Sequence, residues 1–600
     1  MIAPFVAALA LSAAPAVAPA PPAPTAEEAR AFVGRVNEEL RQLAVRSSTA
    51  DWIRQTYITD DTDRAAAWAS EAQMAFLSRA ARQSVTFAGV AADAPTRRML
   101  QLLRLSAALP APSDPARRAE LAELDVKLGS IYGKGKWCGG SGEGPCRSLQ
   151  EISEIMAKSR DEARLREAWA GWHAVAVPMR PLYSRLVALA GEGAREIGFP
   201  GLGELWRSGY DMPPDAFAAE TERLWQEVKP LYQALHCYVR ERLAAHYGAE
   251  RVPRDGPIPA HLLGDMWAQE WSNVYPLVQP HPGRTGLDVE AAMSAQGWDP
   301  VRMVRTAEAF FTSLGLAPLP QTFWERSLLV KPRDREVECH ASAWDVQADG
   351  DLRIKMCIRV KEEDLVTIHH ELGHSFYQRA YLGQPFLFQS SANDGFHEAL
   401  GDAVALSVTP AYLARLGLVP AAPEDEERLV AVQLKEALEK VAFLPFGLLV
   451  DRWRWEVFSG KVGPDRYNAA WWELRRRYQG VSPPLPRTEA DFDPGAKYHV
   501  AASVPYTRYF LARILQFQFH RAMCRIAGHR GPPHACSVYG SREVGRRLEA
   551  MMALGASRPW PDALEALTGE RAMDASALVE YFGPLRRWLD RENRGRRCGW

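Results

Sequence analysis

The sequence has no excess of either charge: 72 Lys and Arg residues against 73 Asp and Glu leave a formal net charge of -1. Without a basic stripe or an acidic tail there is no electrostatic footprint for nucleic acid or anionic lipid, so neither is expected as a partner. Long apolar runs are also missing. Beyond the N-terminal leader no stretch reaches the roughly 18 to 20 apolar residues that a membrane-spanning helix needs. The C-terminal Gly595-Arg596-Arg597-Cys598-Gly599-Trp600 carries no stop-transfer helix or anchor signal, and no membrane anchor is expected. No Asn-x-Ser/Thr triplet occurs, which removes N-glycosylation. Internal repeats and low-complexity segments are absent after the leader, which excludes solenoids and tandem catalytic units.

Residues 1–24 hold an apolar run of signal-peptide length followed by a Pro- and Ala-rich segment, which predicts a secreted or periplasmic protein. Residues 25–600 then read as one catalytic domain, long enough for a deep core, with 47% hydrophobic residues and 19 tryptophans. Thr25 and Glu28 have capping-box spacing, and Ala-, Leu-, Arg- and Glu-rich stretches after them predict a helical majority. Strand-like alternation is confined to about 335–360. Eight cysteines in an exported chain point to disulfides. Cys138 and Cys146 bracket a Gly-rich loop, Cys524 and Cys536 bracket another, and Cys339 and Cys357 flank the hairpin-like segment. Cys237 and Cys598 have no evident mates.

His370-Glu371-Leu372-Gly373-His374 is an HExxH pattern. On a helix it sets two imidazoles one turn apart on one face, where they can chelate one zinc ion. Leu365, Ile368, Leu372 and Phe376 form an apolar stripe on roughly the opposite side, so the helix can pack while presenting its histidines. A catalytic zinc needs a third protein ligand, and Glu398 is the candidate. Asp402, four residues on, can orient a ligating imidazole. Glu371 points away from the metal and suits the general base that deprotonates zinc-bound water and then protonates the leaving amine.

Cys339-His340-Ala341-Ser342-Ala343-Trp344-Asp345, the HExxH segment, Gly395-Phe396-His397-Glu398-Ala399, and Lys497-Tyr498-His499 with Ser503-Val504-Pro505-Tyr506 resemble the angiotensin-converting enzyme family in order and spacing. The likeness runs from about residue 25 to near the C-terminus. It implies a mainly α fold: a large helical ellipsoid of two halves around a deep central cleft, with an N-terminal helical lid and a few short strands near the zinc site. It implies a zinc peptidyl-dipeptidase acting on oligopeptides with a free C-terminus, and a monomer is expected. His370, His374 and Glu398 would hold zinc, and His499 and Tyr509 would donate to the oxyanion. His340 and the Ala341 backbone would hold the substrate backbone. Gln269, Lys497 and Tyr506 would clamp the terminal carboxylate. The family's carboxypeptidase branch has arginine where Gln269 stands, which favours dipeptide release here.

The resemblance also implies chloride as an activator. Tyr210 with Arg508 matches one anion position, and Trp267, Trp471 and Arg475 match parts of another, where His173 replaces an arginine and would be only partly charged near neutral pH. Chloride dependence is therefore expected through Arg508, weaker or more pH-sensitive than usual. Two further departures are Glu270, where a small hydroxyl residue is usual and an added charge would either disfavour acidic substrate side chains or simply point away, and Asp394, where a proline is usual and the change is read as a matter of the loop. The competing readings are a zinc oligopeptidase or carboxypeptidase of the same superfamily, and a non-enzymatic binding relative.

Overall fold

A computed structural model describes residues 23–139, 145–281, 288–421 and 425–600. The leader through residue 22 and the Gly-rich segment 140–144 lie outside the described residues. Helices dominate, as the sequence predicts. The first, Ala26–Thr56, starts at the expected box: the Thr25 hydroxyl accepts from Glu28 N at 3.2 Å, and the Glu28 carboxylate accepts from Thr25 N at 2.8 Å. With Asp60–Ser84 and Ala94–Leu105 it buries a small apolar core that includes Phe32, Leu40, Phe76 and Leu103. Arg98 fastens this layer to the body by pairing with Asp211, as does Asn37, whose Oδ1 accepts from Leu387 N at 2.8 Å.

The main core is separate and much larger. Its spine is formed by the helices Pro214–Tyr247, Glu426–Phe458 and Thr507–Ile526, each of which buries at least half of its residues while keeping charged ones on its remaining surface. Trp225, Trp271, Trp453 and Trp471 are fully buried among them. The expected hairpin exists as Ser342–Asp345 paired antiparallel with Leu352–Lys355. Two further strand pairs escape the sequence reading, Lys136–Trp137 with Arg147–Ser148 and Ile258–Pro259 with Val481–Ser482. Each strand is two residues long, too short to alternate.

The three expected disulfides form, Cys138–Cys146, Cys339–Cys357 and Cys524–Cys536, and Cys237 pairs with Cys598. That fourth bond binds the C-terminal segment to the Pro214–Tyr247 helix. There Arg240 also donates to the carbonyls of Arg597 and Gly599, both at 2.6 Å, and Trp600 packs on His236. No helix among the described residues is long and apolar enough to cross a membrane.

Candidate metal centre

The HExxH motif lies on the helix Glu362–Ala380, whose first turn carries Glu362, Glu363 and Asp364 and whose last carries Arg379, charges that complement the helix dipole. Leu365, Ile368, Leu372 and Phe376 are buried as the periodicity requires. The helix Phe396–Ala405, carrying Glu398 and Asp402, lies close against it. A Cβ on Gly373 would stand 3.0 Å from Gly401 Cα, and one on Gly401 would stand 2.8 Å from His370 Nδ1. Two facing glycines therefore permit the approach that brings Glu398 to the histidines.

His370, His374 and Glu398 converge. The two Nε2 atoms are 3.0 Å apart, and the Glu398 oxygens lie 3.6 and 3.8 Å from them. Tetrahedral zinc with bonds of about 2.0 to 2.2 Å sets its ligands about 3.4 Å apart, so donor set and spacing fit that ion. His370 Nδ1 donates to Asp402 Oδ1 at 3.0 Å, which leaves Nε2 as the lone pair facing the centre. Burial disfavours the His370 imidazolium, but the Asp402 hydrogen bond and charge outweigh this and lift it to about 8. Asp402 is itself held far below the carboxylate range despite burial, by the charges of Lys440 and Arg513 and by His370. Arg513 Nη1 donates to Asp402 Oδ2 at 2.8 Å.

His374 is oriented differently: its Nδ1 lies 3.2 Å from His397 Nδ1, and His397 Nε2 lies 3.4 Å from the Tyr381 hydroxyl. Neither His397 nor Arg513 was singled out from sequence. The only signal for His397 was its place beside Glu398. Glu371 is 6% exposed and its Oε2 is buried without a hydrogen-bond partner, which leaves one oxygen free to take a proton. Burial pushes this carboxyl up to about 7, with His370 opposing and Glu398 adding.

Residues 497–509 bring the next group of candidates together. Lys497 Nζ donates to Gln269 Oε1 at 2.6 Å and the Tyr506 hydroxyl donates to the same atom at 3.2 Å, so the three clamp candidates meet. Burial lowers Lys497 to about 8, with Asp265 and Glu270 opposing. Asp265 fixes the loop by accepting from Trp267 N and Gln269 N at 2.9 and 3.1 Å. Ala268 and Ser503 hold positive φ values of 50° and 53°, local strain of the kind that collects at sites. The Tyr506 ring lies 4.6 Å from that of His499 and 5.1 Å from that of Tyr509, and His499 Nε2 is 3.4 Å from the Tyr509 hydroxyl. Burial, with Lys497, Arg454 and Arg508, pushes His499 down to about 3, so its ring is neutral. Burial raises Tyr509, with Arg508 opposing.

His340 has no hydrogen bond to residues 497–509 among the described residues. It is exposed, its Nδ1 bonds the Ala341 carbonyl at 2.9 Å, and Ala341 leads directly into the strand Ser342–Asp345, which packs on the motif helix. Neither residue has a hydrogen bond to the His-His-Glu group among the described residues.

Residues 23–600 match the peptidase M2 family, described as angiotensin-converting enzyme. The chain belongs to the angiotensin-converting enzyme family. It is 44% identical over 590 residues to the angiotensin-converting enzyme of Mesocricetus auratus, an alignment covering 95% of this chain and 44% of that protein. Similarity to the Bos taurus enzyme is 44% over 580 residues, again 95% of this chain and 44% of the relative. The Haematobia irritans exigua enzyme is 41% identical over 574 residues, which covers 93% of both chains. The chain thus spans less than half the length of the mammalian relatives and nearly the whole of the insect one.

Against the pattern of the angiotensin-converting enzyme family, three departures acquire a structural setting. His173 is buried, stacked on Trp169 at 3.7 Å and bonded through Nδ1 to the Trp169 carbonyl at 2.8 Å. Burial pushes it down to about 4, so it is neutral rather than partly charged near neutral pH. Nearby, Arg475 Nη2 donates to the Trp267 carbonyl at 2.7 Å, while Arg475 Nε and Nη1 and Trp471 Nε1 are buried without partners. Tyr210 and Arg508 do meet, at the carboxylate of Asp394: the Tyr210 hydroxyl donates to Oδ2, and Arg508 Nε lies 3.1 Å from the same oxygen as an ion pair without a hydrogen bond. Glu270 is mostly buried, and burial pushes it up to about 7, with Asp265 and Glu439 adding.

Proposed function

We propose that the protein is a zinc-dependent peptidyl-dipeptidase that releases dipeptides from the free C-termini of oligopeptides. The convergence of His370, His374 and Glu398 beside Glu371, whose buried Oε2 lacks a hydrogen-bond partner, carries this reading. When bound by those three residues, zinc supplies Lewis acidity toward the scissile carbonyl and the attacking water. Glu371 takes the proton of that water and returns it to the departing amine nitrogen. Neutral His499 and protonated Tyr509 donate hydrogen bonds to the oxyanion as it develops. Lys497 pairs with the terminal carboxylate, and Gln269 and Tyr506 add neutral hydrogen bonds. His340 and the Ala341 backbone steady the peptide chain, the exposed His340 from the lip of the hairpin. Asp402 and His397 act by orienting the two metal-binding imidazoles.

In the same reading residues 1–24 are a signal peptide, 25–600 is one catalytic domain, and the protein works as an exported monomer. Four disulfides that use all eight cysteines support an oxidising setting. Chloride acts through Arg475 and Trp471, whose buried Nε and Nη1 (Arg475) and Nε1 (Trp471) lack hydrogen-bond partners. The N-terminal helices, with their separate core, form the lid over a central cleft.

The test is mass spectrometry of products from one peptide with a free and with an amidated C-terminus, with and without a chelator and zinc re-addition. Stepwise dipeptide loss that requires zinc and the free carboxylate is expected. Single-residue loss would assign a carboxypeptidase, internal cuts indifferent to amidation an oligopeptidase, and no cleavage a binding protein.

A further inference from the structure

Asp394 lies in the loop that leads into the Phe396–Ala405 helix, four positions before Glu398. Its Oδ2 lies 3.1 Å from Arg508 Nε, and the Tyr210 hydroxyl donates to the same oxygen at 3.3 Å. Three distant parts of the chain meet here. Arg508 is in the first turn of the Thr507–Ile526 helix, directly before Tyr509. Tyr210 is 6% exposed and rigidly set, its ring stacked on Phe217 at 4.1 Å and its carbonyl accepting from Trp560 Nε1 at 2.8 Å. The loop is pinned as well, with Ser391 Oγ donating to the Asn393 carbonyl at 2.6 Å and Gly395 N donating to Asn393 Oδ1 at 2.9 Å.

The other carboxylate close to this spot, Asp451, is already committed. It accepts from Tyr506 N and Thr507 N at 2.7 Å and from the Thr507 hydroxyl at 2.8 Å, and it pairs with Arg454. Arg508 therefore depends on Asp394 for its compensating charge. Removing one member of a partly buried pair strands the other in a poorly solvated place, and a guanidinium so stranded draws a small anion from solution.

We infer that the Asp394 carboxylate is a built-in anion that neutralises Arg508, ties the Glu398-bearing segment to the helix bearing Tyr509, and frees this position from any need for dissolved halide. Asp394 is a positioning residue that acts through Arg508 on Tyr509. The activity arm of the following test rests on the proposed peptidase reading, and the binding arm does not.

Activity is measured for the wild type, Asp394→Ala and Asp394→Asn at constant ionic strength as gluconate, too large for the position, is replaced by chloride. In gluconate, Asp394→Ala should lose about tenfold or more in kcat/KM relative to wild type, equivalent to ~1.4 kcal/mol, and chloride should restore most of it saturably. Asp394→Asn, which fills the space without the charge, should lose activity and gain no rescue. Bromide soaked into crystals should give an anomalous peak between Arg508 and Tyr210 in Asp394→Ala and none there in wild type. Any wild-type chloride response through Arg475 should be shared by all three proteins. If Asp394→Ala does not fold, the wild-type bromide arm and the Asp394→Asn titration carry the test. Bromide beside Arg508 in wild type, an Asp394→Ala response identical to that of wild type, or chloride rescue of Asp394→Asn would overturn the inference. Loss of all cleavage in wild type, with the expected bromide pattern intact, would sink the peptidase reading alone.

Discussion

Gly401→Ala should damage the metal centre although it improves the helix. In an open helix this change stabilises by up to ~1 kcal/mol, because glycine is the costlier residue there. Here the new Cβ would lie 2.8 Å from His370 Nδ1 and 2.9 Å from both His370 Cγ and the His370 carbonyl oxygen. Ordinary contacts lie near 3.5 Å, so the helices must part or the ring must turn by roughly 0.7 Å. Either movement breaks the 3.0 Å bond from His370 to Asp402 and spreads the His370–Glu398 approach. Losing such an orienting contact costs about 10- to 100-fold in metal affinity, or ~1.4 to 2.7 kcal/mol. Zinc affinity measured by competition with a chromophoric chelator reads the effect directly. Gly129→Ala, in the helix Pro115–Gly133 where an added Cβ meets nothing within 4 Å, is the control and should only raise the melting temperature. Wild-type zinc affinity in Gly401→Ala would refute the glycine-contact argument.

Glu371→Gln should cost about 10²- to 10⁴-fold in kcat, the span for losing a general base, while zinc content by atomic absorption stays unchanged. The clamp should be pH-dependent: raising pH through about 8 removes the proton that burial already loosens on Lys497, so KM for a free-carboxylate peptide should climb on that limb. Lys497→Met should flatten that limb and lose about 10- to 150-fold in affinity, the scale of one charge-assisted hydrogen bond. Glu270→Thr should improve cleavage of peptides ending in acidic dipeptides by roughly two- to fivefold relative to neutral ones, the range for a partly screened charge pair. That gain should widen as pH rises through about 7, where Glu270 ionises, and a pH-flat ratio would contradict it.

What could be read from the sequence was mostly what neighbours along the chain determine. His370 and His374 follow from one turn of helix, and Asp402 follows Glu398 by the same turn, so spacing alone suggested both pairs. Glu398 was a candidate from spacing that the family resemblance singled out among many acids, whereas the gathering of Gln269 with Lys497 and Tyr506 came from resemblance alone, because residues 228 and 237 positions apart carry no local sign of contact. His397 and Arg513 went unread for the same reason, since each acts through a side chain on another helix. Asp394 was visible as a departure from a proline, but its role depends on Arg508, 114 positions later, and on Tyr210, 184 positions earlier. The reading of His173 as partly charged failed because burial, which no single residue announces, decides its protonation.

The four disulfides also divide the maturation of the molecule into two stages. Three of them join cysteines 8, 18 and 12 positions apart and can close as each segment reaches an oxidising environment. Cys237 and Cys598 are 361 positions apart, so the first thiol must wait, reduced and exposed to wrong partners, while the intervening chain is delivered. Oxidative maturation therefore ends on this bond, and the supply of thiol–disulfide isomerase during oxidative folding, more than the strength of the folded core, should set the yield of correctly linked protein.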